Sequence, residues 1–124
     1  MSSLAERGIA PSVVADQVGR LTFTEDLARA AKGLVESEAP YGVYNVTSEG
    51  DPASWADIAR AVFELTGHDP QAVTPVTTAD YFASASAPVA PRPRNSVLAL
   101  DKLHDAGIRT RDMREALRGY LADG

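Results

Sequence analysis

The chain has 124 residues, no cysteine, two histidines and a formal net charge of −5 at pH 7. Its length suits one domain with its own core. The lack of cysteine excludes a disulfide scaffold and favours a cytoplasmic location. The acidic balance disfavours nonspecific nucleic-acid binding, and no apolar run reaches the ~20 residues of a membrane span. We therefore expect a single cytoplasmic domain over residues 1–124, with no metal site and no nucleic-acid or membrane partner.

The N-terminal part of the sequence predicts the end of a helix, a strand and a complete helix. Residues 1–8 have the pattern of a helix that Gly8 terminates, since glycine is favoured just past a helix C-terminus. Residues 12–15, Ser-Val-Val-Ala, predict a short strand. Thr24 is expected to cap a helix over residues 25–36, because a threonine side chain can accept a hydrogen bond from a free amide of the first turn.

The middle of the chain carries the strongest strand pattern and the clearest helix start. Residues 42–47, Gly-Val-Tyr-Asn-Val-Thr, are rich in β-branched and aromatic side chains. They predict a strand with Asn45 buried and hydrogen-bonded inside it. Ser54 and Asp57 have the spacing of a capping box, which predicts a helix that runs to Thr66 and ends at Gly67.

The apolar stripe of this helix is expected to form core. Its members are Trp55, Ile58, Ala59, Val62 and Phe63. Their spacing is that of one helix face, and a tryptophan on such a face is most often buried. Stacking of Trp55 on a nucleobase remains the alternative.

The sequence beyond this helix is more irregular. Residues 73–77 predict an edge strand, because Pro75 cannot donate to a ladder. Thr78 is expected to cap one helical turn through Phe82, followed by a loop over residues 83–91. Residues 97–100 again have the pattern of a strand.

Two short helices are predicted to close the chain. Asp101 is expected to cap the first, which Gly107 ends, and Thr110 to cap the second. Together these elements predict an α+β fold with four to five helices, short strands and no Rossmann domain.

Two arginines stand in a proline-stiffened segment, residues 90–98, which we call the arginine loop. Pro91 and Pro93 hold φ near about −65° and extend the residues before them. Arg92 and Arg94 therefore lose little backbone freedom on binding. A planar guanidinium suits bidentate recognition of phosphate or carboxylate, so we expect an anionic ligand here. Solvated surface charge is the alternative.

Several motifs in fixed order carry a family resemblance. Residues 16–22 read Asp-Gln-Val-Gly-Arg-Leu-Thr, and residues 42–47 are followed by Ser-Trp-x-x-Ile-Ala at 54–59. The arginine loop then gives Arg-Pro-Arg-Asn-Ser at 92–96. This order resembles the C-terminal, substrate-binding domain of the dTDP-4-dehydrorhamnose reductase family, within the extended short-chain dehydrogenase/reductases. The resemblance spans residues 4–121.

Two motifs of such reductases are missing from the sequence. No two of the nine glycines are separated by a single residue, so there is no GxG dinucleotide fingerprint. No tyrosine is followed by lysine four positions later, so the Tyr-x-x-x-Lys pair of the family is also missing. We therefore expect a C-terminal fragment of a longer enzyme. The cofactor-binding domain of the same parent chain would hold NADPH, and this chain would bind no cofactor and have no catalytic residue.

The resemblance implies substrate-binding roles for six residues. Arg92 corresponds to an arginine that the wider superfamily gives to a nucleotide phosphate, and Gln17 to a ribose or diphosphate contact. Arg20 is a weaker candidate, because these reductases often have another residue there. The remaining candidates come from the arginine loop, and they are Arg94, Asn95 and Ser96.

Two neighbouring side chains have expected roles of their own. Asp16 is expected to fix its loop by accepting hydrogen bonds from backbone amides. Tyr81, just before the loop at 83–91, is a candidate for stacking on a nucleobase.

The resemblance also implies a reaction for the complete enzyme, the NADPH-dependent reduction of dTDP-4-dehydro-L-rhamnose to dTDP-L-rhamnose. The partners would be a dTDP-sugar, the parent cofactor domain and a second copy of the chain. Two alternatives remain open. One is a noncatalytic regulatory protein of the same fold, like the regulatory subunit of methionine adenosyltransferase, and the other is the substrate domain of a sugar-nucleotide epimerase or dehydratase. Whether this chain is itself an enzyme is left open.

Overall fold

The computed structural model describes residues 1–122, a mixture of helices and very short strands. In chain order the elements are α1 (Ser2–Glu6), β1 (Ser12–Val14), β2 (Val18–Gly19), α2 (Thr24–Glu36), β3 (Ala53–Ser54), α3 (Trp55–Leu65), a 3-10 turn (Pro70–Ala72), β4 (Thr74–Val76), α4 (Thr78–Tyr81), α5 (Asp101–Asp105) and α6 (Met113–Ala122). The predicted α+β class is confirmed. Within this described range, every helix is too short or too polar to cross a membrane.

The chain divides into two compact units. The first unit consists of Met1–Gly19 and Ala53–Ser96, and the second of Arg20–Pro52 and the chain from Val97 onward. The expectation of one domain over the whole chain stays a prediction.

The first unit contains two small sheets. β1 and β4 pair in parallel, with Ser12 opposite Thr74 and Val14 opposite Val76. This confirms both predicted strands. β2 and β3 pair antiparallel, with Val18 opposite Ser54. The second sheet was not predicted, because two-residue strands are too short to show an alternating pattern.

The core of the first unit forms where α3 packs on β1 and the 3-10 turn. Its buried members are Ala5, Val13, Ala56, Ala59, Phe63 and Val73. Phe63 is only 2% exposed and is the largest side chain of this cluster. The predicted stripe of α3 is therefore correct at Ala59, Val62 and Phe63.

The prediction that Trp55 is core is wrong, because its side chain is 52% exposed. α3 begins at Trp55, and helical side chains lean toward the N-terminus of their helix. A large side chain in the first position therefore extends past the end of the helix rather than onto its packed face. The small side chain of Ala56 takes the buried position instead.

The second unit is built from α2, α5, α6 and irregular chain. Its buried apolar residues are Ala30, Leu100, Leu103, Met113, Ala116 and Leu117. The buried Asp26 carboxylate accepts a hydrogen bond from Nε of Arg111 at 2.7 Å. Hydrogen bonding to Asp26 and its negative charge raise the pKa of Arg111 against the effect of burial, so the guanidinium stays charged.

Two predicted strands are wrong: residues 42–47 and 97–100 are irregular in the structure. The polar groups of these two segments form isolated hydrogen bonds instead of the regular ladder of a sheet. Nζ of Lys102 donates to the carbonyl oxygen of Val43 at 3.0 Å, and Nδ2 of Asn45 to that of Ala99 at 3.2 Å. Asn45 is also exposed, contrary to the prediction. β-branched composition favours a strand only where a neighbouring strand is available to pair with it.

The predicted helix boundaries are correct at glycines and at the capping box. Ser54 Oγ accepts from the amide of Asp57 at 3.1 Å, and Asp57 Oδ2 accepts from the amide of Ser54. Gly8, Gly67 and Gly107 follow helices with φ between +65° and +76°, where a residue without Cβ is favoured.

Four predicted caps are wrong. Thr24, Thr78 and Asp101 are the first residues of their helices, and Thr77 caps α4 instead of Thr78. Asp112, which accepts from the amide of Arg114 at 2.8 Å, replaces Thr110 at the start of α6. The hydroxyl of Thr110 donates instead to the carbonyl oxygen of Thr47 at 2.7 Å, a tertiary contact that local spacing does not show.

Replacing Phe63 with alanine should lower the free energy of unfolding by roughly 3–5 kcal/mol, because a fully buried aromatic leaves a cavity. Trp55→Ala in the same helix should cost clearly less, because about half of that side chain is already in water. Urea denaturation of both variants measures the difference. An equal or larger loss for Trp55→Ala would contradict the assignment of the core.

Candidate functional site

Val18 joins the arginine loop to the small sheet of the first unit. Its amide donates to the carbonyl oxygen of Arg94 at 2.8 Å, and its own carbonyl oxygen accepts from the amide of Ser96 at 2.9 Å. Val18 and Asn95 thus form a parallel bridge. Because Ser54 lies opposite Val18 on the antiparallel side, three chain segments lie side by side here. Five of the six predicted site residues lie in the first unit, and Gln17, Arg94, Asn95 and Ser96 are at or beside this bridge.

A close approach beside this bridge requires glycine at position 19. The hydroxyl of Ser96 donates to the carbonyl oxygen of Val18 at 3.2 Å. A Cβ added to Gly19 would lie 2.5 Å from that hydroxyl oxygen, closer than the two atoms can pack. Gly19 therefore allows the arginine loop to lie directly on β2.

Thr78 links the residues before β2 to α4. Oδ1 of Asp16 accepts from the amide of Thr78 at 2.9 Å and from its hydroxyl at 2.6 Å. Nε2 of Gln17 donates to the same hydroxyl oxygen at 2.9 Å. Asp16 thus binds a backbone amide, as predicted, and orients the Gln17 side chain through Thr78. Sequence reasoning missed Thr78, because 62 residues separate it from Asp16 and no local pattern connects them.

Asp16 is held in its ionised form. The hydroxyl of Thr78, which donates to the carboxylate, lowers the pKa of Asp16 against the raising effect of partial burial. The backbone amides of Thr78 and of Asp16 itself lower it further, and so does the positive charge of Arg94. The charge of Arg94 therefore acts on this group, while the guanidinium remains exposed.

The arginine loop presents its cations to solvent. Residues 91–96 are all exposed, and their backbone is irregular up to the bridge at Asn95. Arg92 lies two residues before Arg94, which is anchored through its carbonyl oxygen to Val18. The loop therefore combines a fixed end with two accessible guanidiniums, an arrangement that suits a phosphorylated ligand.

The sixth predicted residue, Arg20, lies in the second unit. Its Nε donates to the carbonyl oxygen of Gly50 at 2.8 Å, and Nη1 lies 3.4 Å from that of Leu98. These bonds give Arg20 a structural contact within its own unit. A substrate contact for Arg20 stays a prediction.

The chain matches a known protein family over its whole length. The model of the RmlD substrate binding domain matches residues 1–124. A spore coat polysaccharide biosynthesis protein, SpsK, from Bacillus subtilis is 41% identical over 99% of this chain and 40% of its own length. A dTDP-4-dehydrorhamnose reductase from Mycolicibacterium smegmatis is 38% identical over 98% of this chain and 36% of its own length.

A solved structure resembles the fold. The crystal structure of a dTDP-4-dehydrorhamnose reductase from Bacillus anthracis, in complex with NADP, superposes with a TM-score of 0.84 at 27% identity. The alignment covers 98% of this chain and 41% of that one. The chain thus spans about two fifths of the length of these relatives.

Gly19→Ala should weaken the attachment of the arginine loop, because its Cβ would displace the Ser96 hydroxyl from its bond to Val18. Ser96→Ala removes that hydroxyl and should relieve the clash, since the Ser96 Cβ itself lies 3.9 Å from the added atom. A double-mutant cycle by urea denaturation should therefore give a coupling free energy of about 1–2 kcal/mol. Additive effects of the two substitutions would contradict the close approach.

Asp16 should make stability depend on pH below about 4. Because its folded pKa is lowered from 3.8, its contribution is complete above the unfolded pKa and is lost as the pH falls through the folded pKa. Asp16→Asn should flatten this acid limb in denaturation curves. Thr78→Val, which removes the hydroxyl donor, should move the carboxyl titration of Asp16 upward when followed by NMR. An unchanged titration would contradict the assigned cause.

Proposed function

The chain belongs to the RmlD substrate binding domain family, and we propose that it is the substrate-binding portion of an NADPH-dependent dTDP-4-dehydrorhamnose reductase. The observation that carries this proposal is the bridge at Val18, which brings the Gln17 segment and the arginine loop together in one unit. Amide and guanidinium donors near each other are what a sugar linked to a nucleoside diphosphate requires, because its diphosphate is anionic and its sugar and ribose are polar.

Each proposed ligand contact has a physical basis on this surface. Arg92 and Arg94 offer charge-assisted hydrogen bonds to the diphosphate. Gln17 has one amide hydrogen engaged by Thr78, so its carbonyl oxygen and second hydrogen remain to bind ribose or phosphate. Asn95 and Ser96 hold the loop to β2 and lie at the edge of the proposed diphosphate site.

The chain itself does not fit NADPH. A dinucleotide site needs a glycine turn between a parallel strand and a helix, so that the pyrophosphate can approach the backbone. The turn after β1 carries Asp16 and Gln17 in that place, and the sequence has no GxG. NADPH is therefore proposed to bind the rest of the complete protein, outside this chain.

The proposed function implies two partners and bears on the two alternative functions. A dTDP-sugar and a cofactor-binding domain of the parent chain are the proposed partners. Pairing with a second copy of the chain and a cytoplasmic location stay predictions. The relatives named above include reductases of dTDP-sugars and a polysaccharide biosynthesis protein, so neither the regulatory-subunit alternative nor the epimerase or dehydratase alternative is favoured.

Arg92→Ala in the complete protein that contains this chain should weaken dTDP binding by roughly 1.5–3 kcal/mol, the range for hydrogen bonds to charged groups. Arg92→Lys should restore part of the loss, because an ammonium keeps the charge but cannot form the bidentate pair. Calorimetric titration with dTDP at one fixed salt concentration measures both.

Arg94→Ala is the matched control in the same loop. The resemblance gives the phosphate contact to Arg92, so Arg94→Ala should cost less affinity. Identical dTDP affinity for the parent protein and Arg92→Ala would remove the arginine loop from the proposed site.

A further inference from the structure

We propose that Trp55 is the surface on which the nucleobase of the nucleotide ligand stacks. This inference rests on the proposed function and adds to it the group that would recognise the base. It reverses the role that the apolar stripe of α3 indicates for this residue.

The first observation is the exposure of Trp55. Its side chain is 52% exposed, although the residues around it in sequence, Ala53, Ser54 and Ala56, are all buried. Burying a whole indole would be favourable, since aromatic side chains carry large apolar areas. Because the backbone holds this ring partly exposed to water, a planar group such as a nucleobase can stack on the exposed face of the indole.

The second observation is the register of the three segments at Val18. Val18 pairs antiparallel with Ser54 and in parallel with Asn95. Trp55 follows Ser54 as the first residue of α3, whereas Gln17 precedes Val18 and Arg94 precedes Asn95, so all three residues lie at the same end of the paired segments. An aromatic ring, an amide and a guanidinium thus come from one row of residues, at the same end of three neighbouring segments.

The spacing of this row matches the parts of a nucleotide. Neighbouring strands lie about 4.8 Å apart, so the two outer segments, which carry Trp55 and Arg94, have backbones roughly 10 Å apart beside Val18. A nucleoside diphosphate that places its base on Trp55 would extend its ribose past Gln17 and its phosphates toward Arg94. The order of the side chains is therefore the order of base, sugar and phosphate.

The third observation is the rigidity of the backbone that carries Trp55. The capping box fixes the first turn of α3 through the two hydrogen bonds between Ser54 and Asp57, each 3.1 Å long. A third bond joins the Ser54 hydroxyl to the Asp57 carboxylate at 2.6 Å. Little backbone entropy would be lost when a base stacks on this residue.

Tyr81 is the competing aromatic residue in the same unit. It is 51% exposed and lies in α4, which begins at Thr78. Its ring, however, packs edge-on against Phe82, with 5.0 Å between centroids. Tyr81 also lies outside the row of Trp55, Gln17 and Arg94. It therefore serves as the control of equal exposure.

The experiment measures ligand binding to the complete protein that contains this chain, labelled with 5-fluorotryptophan. The resonance of Trp55 is assigned by its loss in Trp55→Phe. Calorimetry with dTDP is run in parallel on the parent protein and on Trp55→Leu, Trp55→Phe and Tyr81→Leu. Inorganic pyrophosphate is the probe without a base, and a thermal melt of each variant verifies folding.

Stacking predicts that dTDP shifts the Trp55 resonance saturably and that pyrophosphate does not. Trp55→Leu should weaken dTDP binding about ten- to a hundredfold and leave pyrophosphate binding unchanged. Trp55→Phe should recover most of the affinity, because a ring remains, and Tyr81→Leu should match the parent protein.

The opposite results separate this inference from the proposed function. Calorimetric binding of dTDP with an unmoved Trp55 resonance, or with full affinity in Trp55→Leu, would overturn the stacking role and leave the proposed function intact. An equal shift of the Trp55 resonance with pyrophosphate would also overturn it, because the shift would then come from the charge of the phosphates and not from a stacked base. Failure of the unaltered protein to bind dTDP would overturn the proposed function and this inference together.

Discussion

The candidate site depends on the two-sided backbone pairing of Val18. Its amide and carbonyl groups both bond to the arginine loop, while Ser54 lies opposite it in the small antiparallel sheet. Backbone groups shielded from water must be paired, so these bonds fix the register of the loop. Because they join backbone groups only, the register does not depend on the side chains of the loop. The side chains that we propose to bind the ligand can then remain exposed while the backbone that carries them stays fixed.

A similar device organises the second unit. The amide of Glu49 donates to the carbonyl oxygen of Arg111, and its carbonyl oxygen accepts from the amide of Met113, both at 2.9 Å. Gly50 follows with φ +90°, and a Cβ there would overlap the Asp112 carboxylate. In each unit, then, a residue bonded through both backbone groups precedes a glycine that admits a neighbouring side chain. Close approach requires glycine at both positions, and at Gly50 the positive φ requires it as well.

The electrostatic arrangement of the first unit explains how cations and a carboxylate can share one surface. Asp16 is satisfied by two donors from Thr78, so it is occupied in fixing α4 and Gln17 rather than in binding Arg94 directly. The guanidinium of Arg94 stays exposed. A phosphate of the proposed ligand would therefore bind Arg94 without first displacing an ion pair with Asp16, whose loss would reduce affinity.

The sequence by itself determined the features whose cause is local. The capping box at Ser54 and Asp57, the glycine helix ends, and the loop stiffened by Pro91 and Pro93 each depend on residues a few positions apart. The order of motifs also identified the family. Only the tertiary structure decided the features that depend on residues far apart in the sequence, namely strand pairing, burial and long-range hydrogen bonds. Residues 42–47 have strand composition but pair with no strand among the described residues. Trp55 lies in the first turn of α3 and remains half exposed, and Thr78 contacts Asp16 across 62 positions. Periodicity reports which residues share a face, whereas burial and pairing depend on what the rest of the chain places against that face.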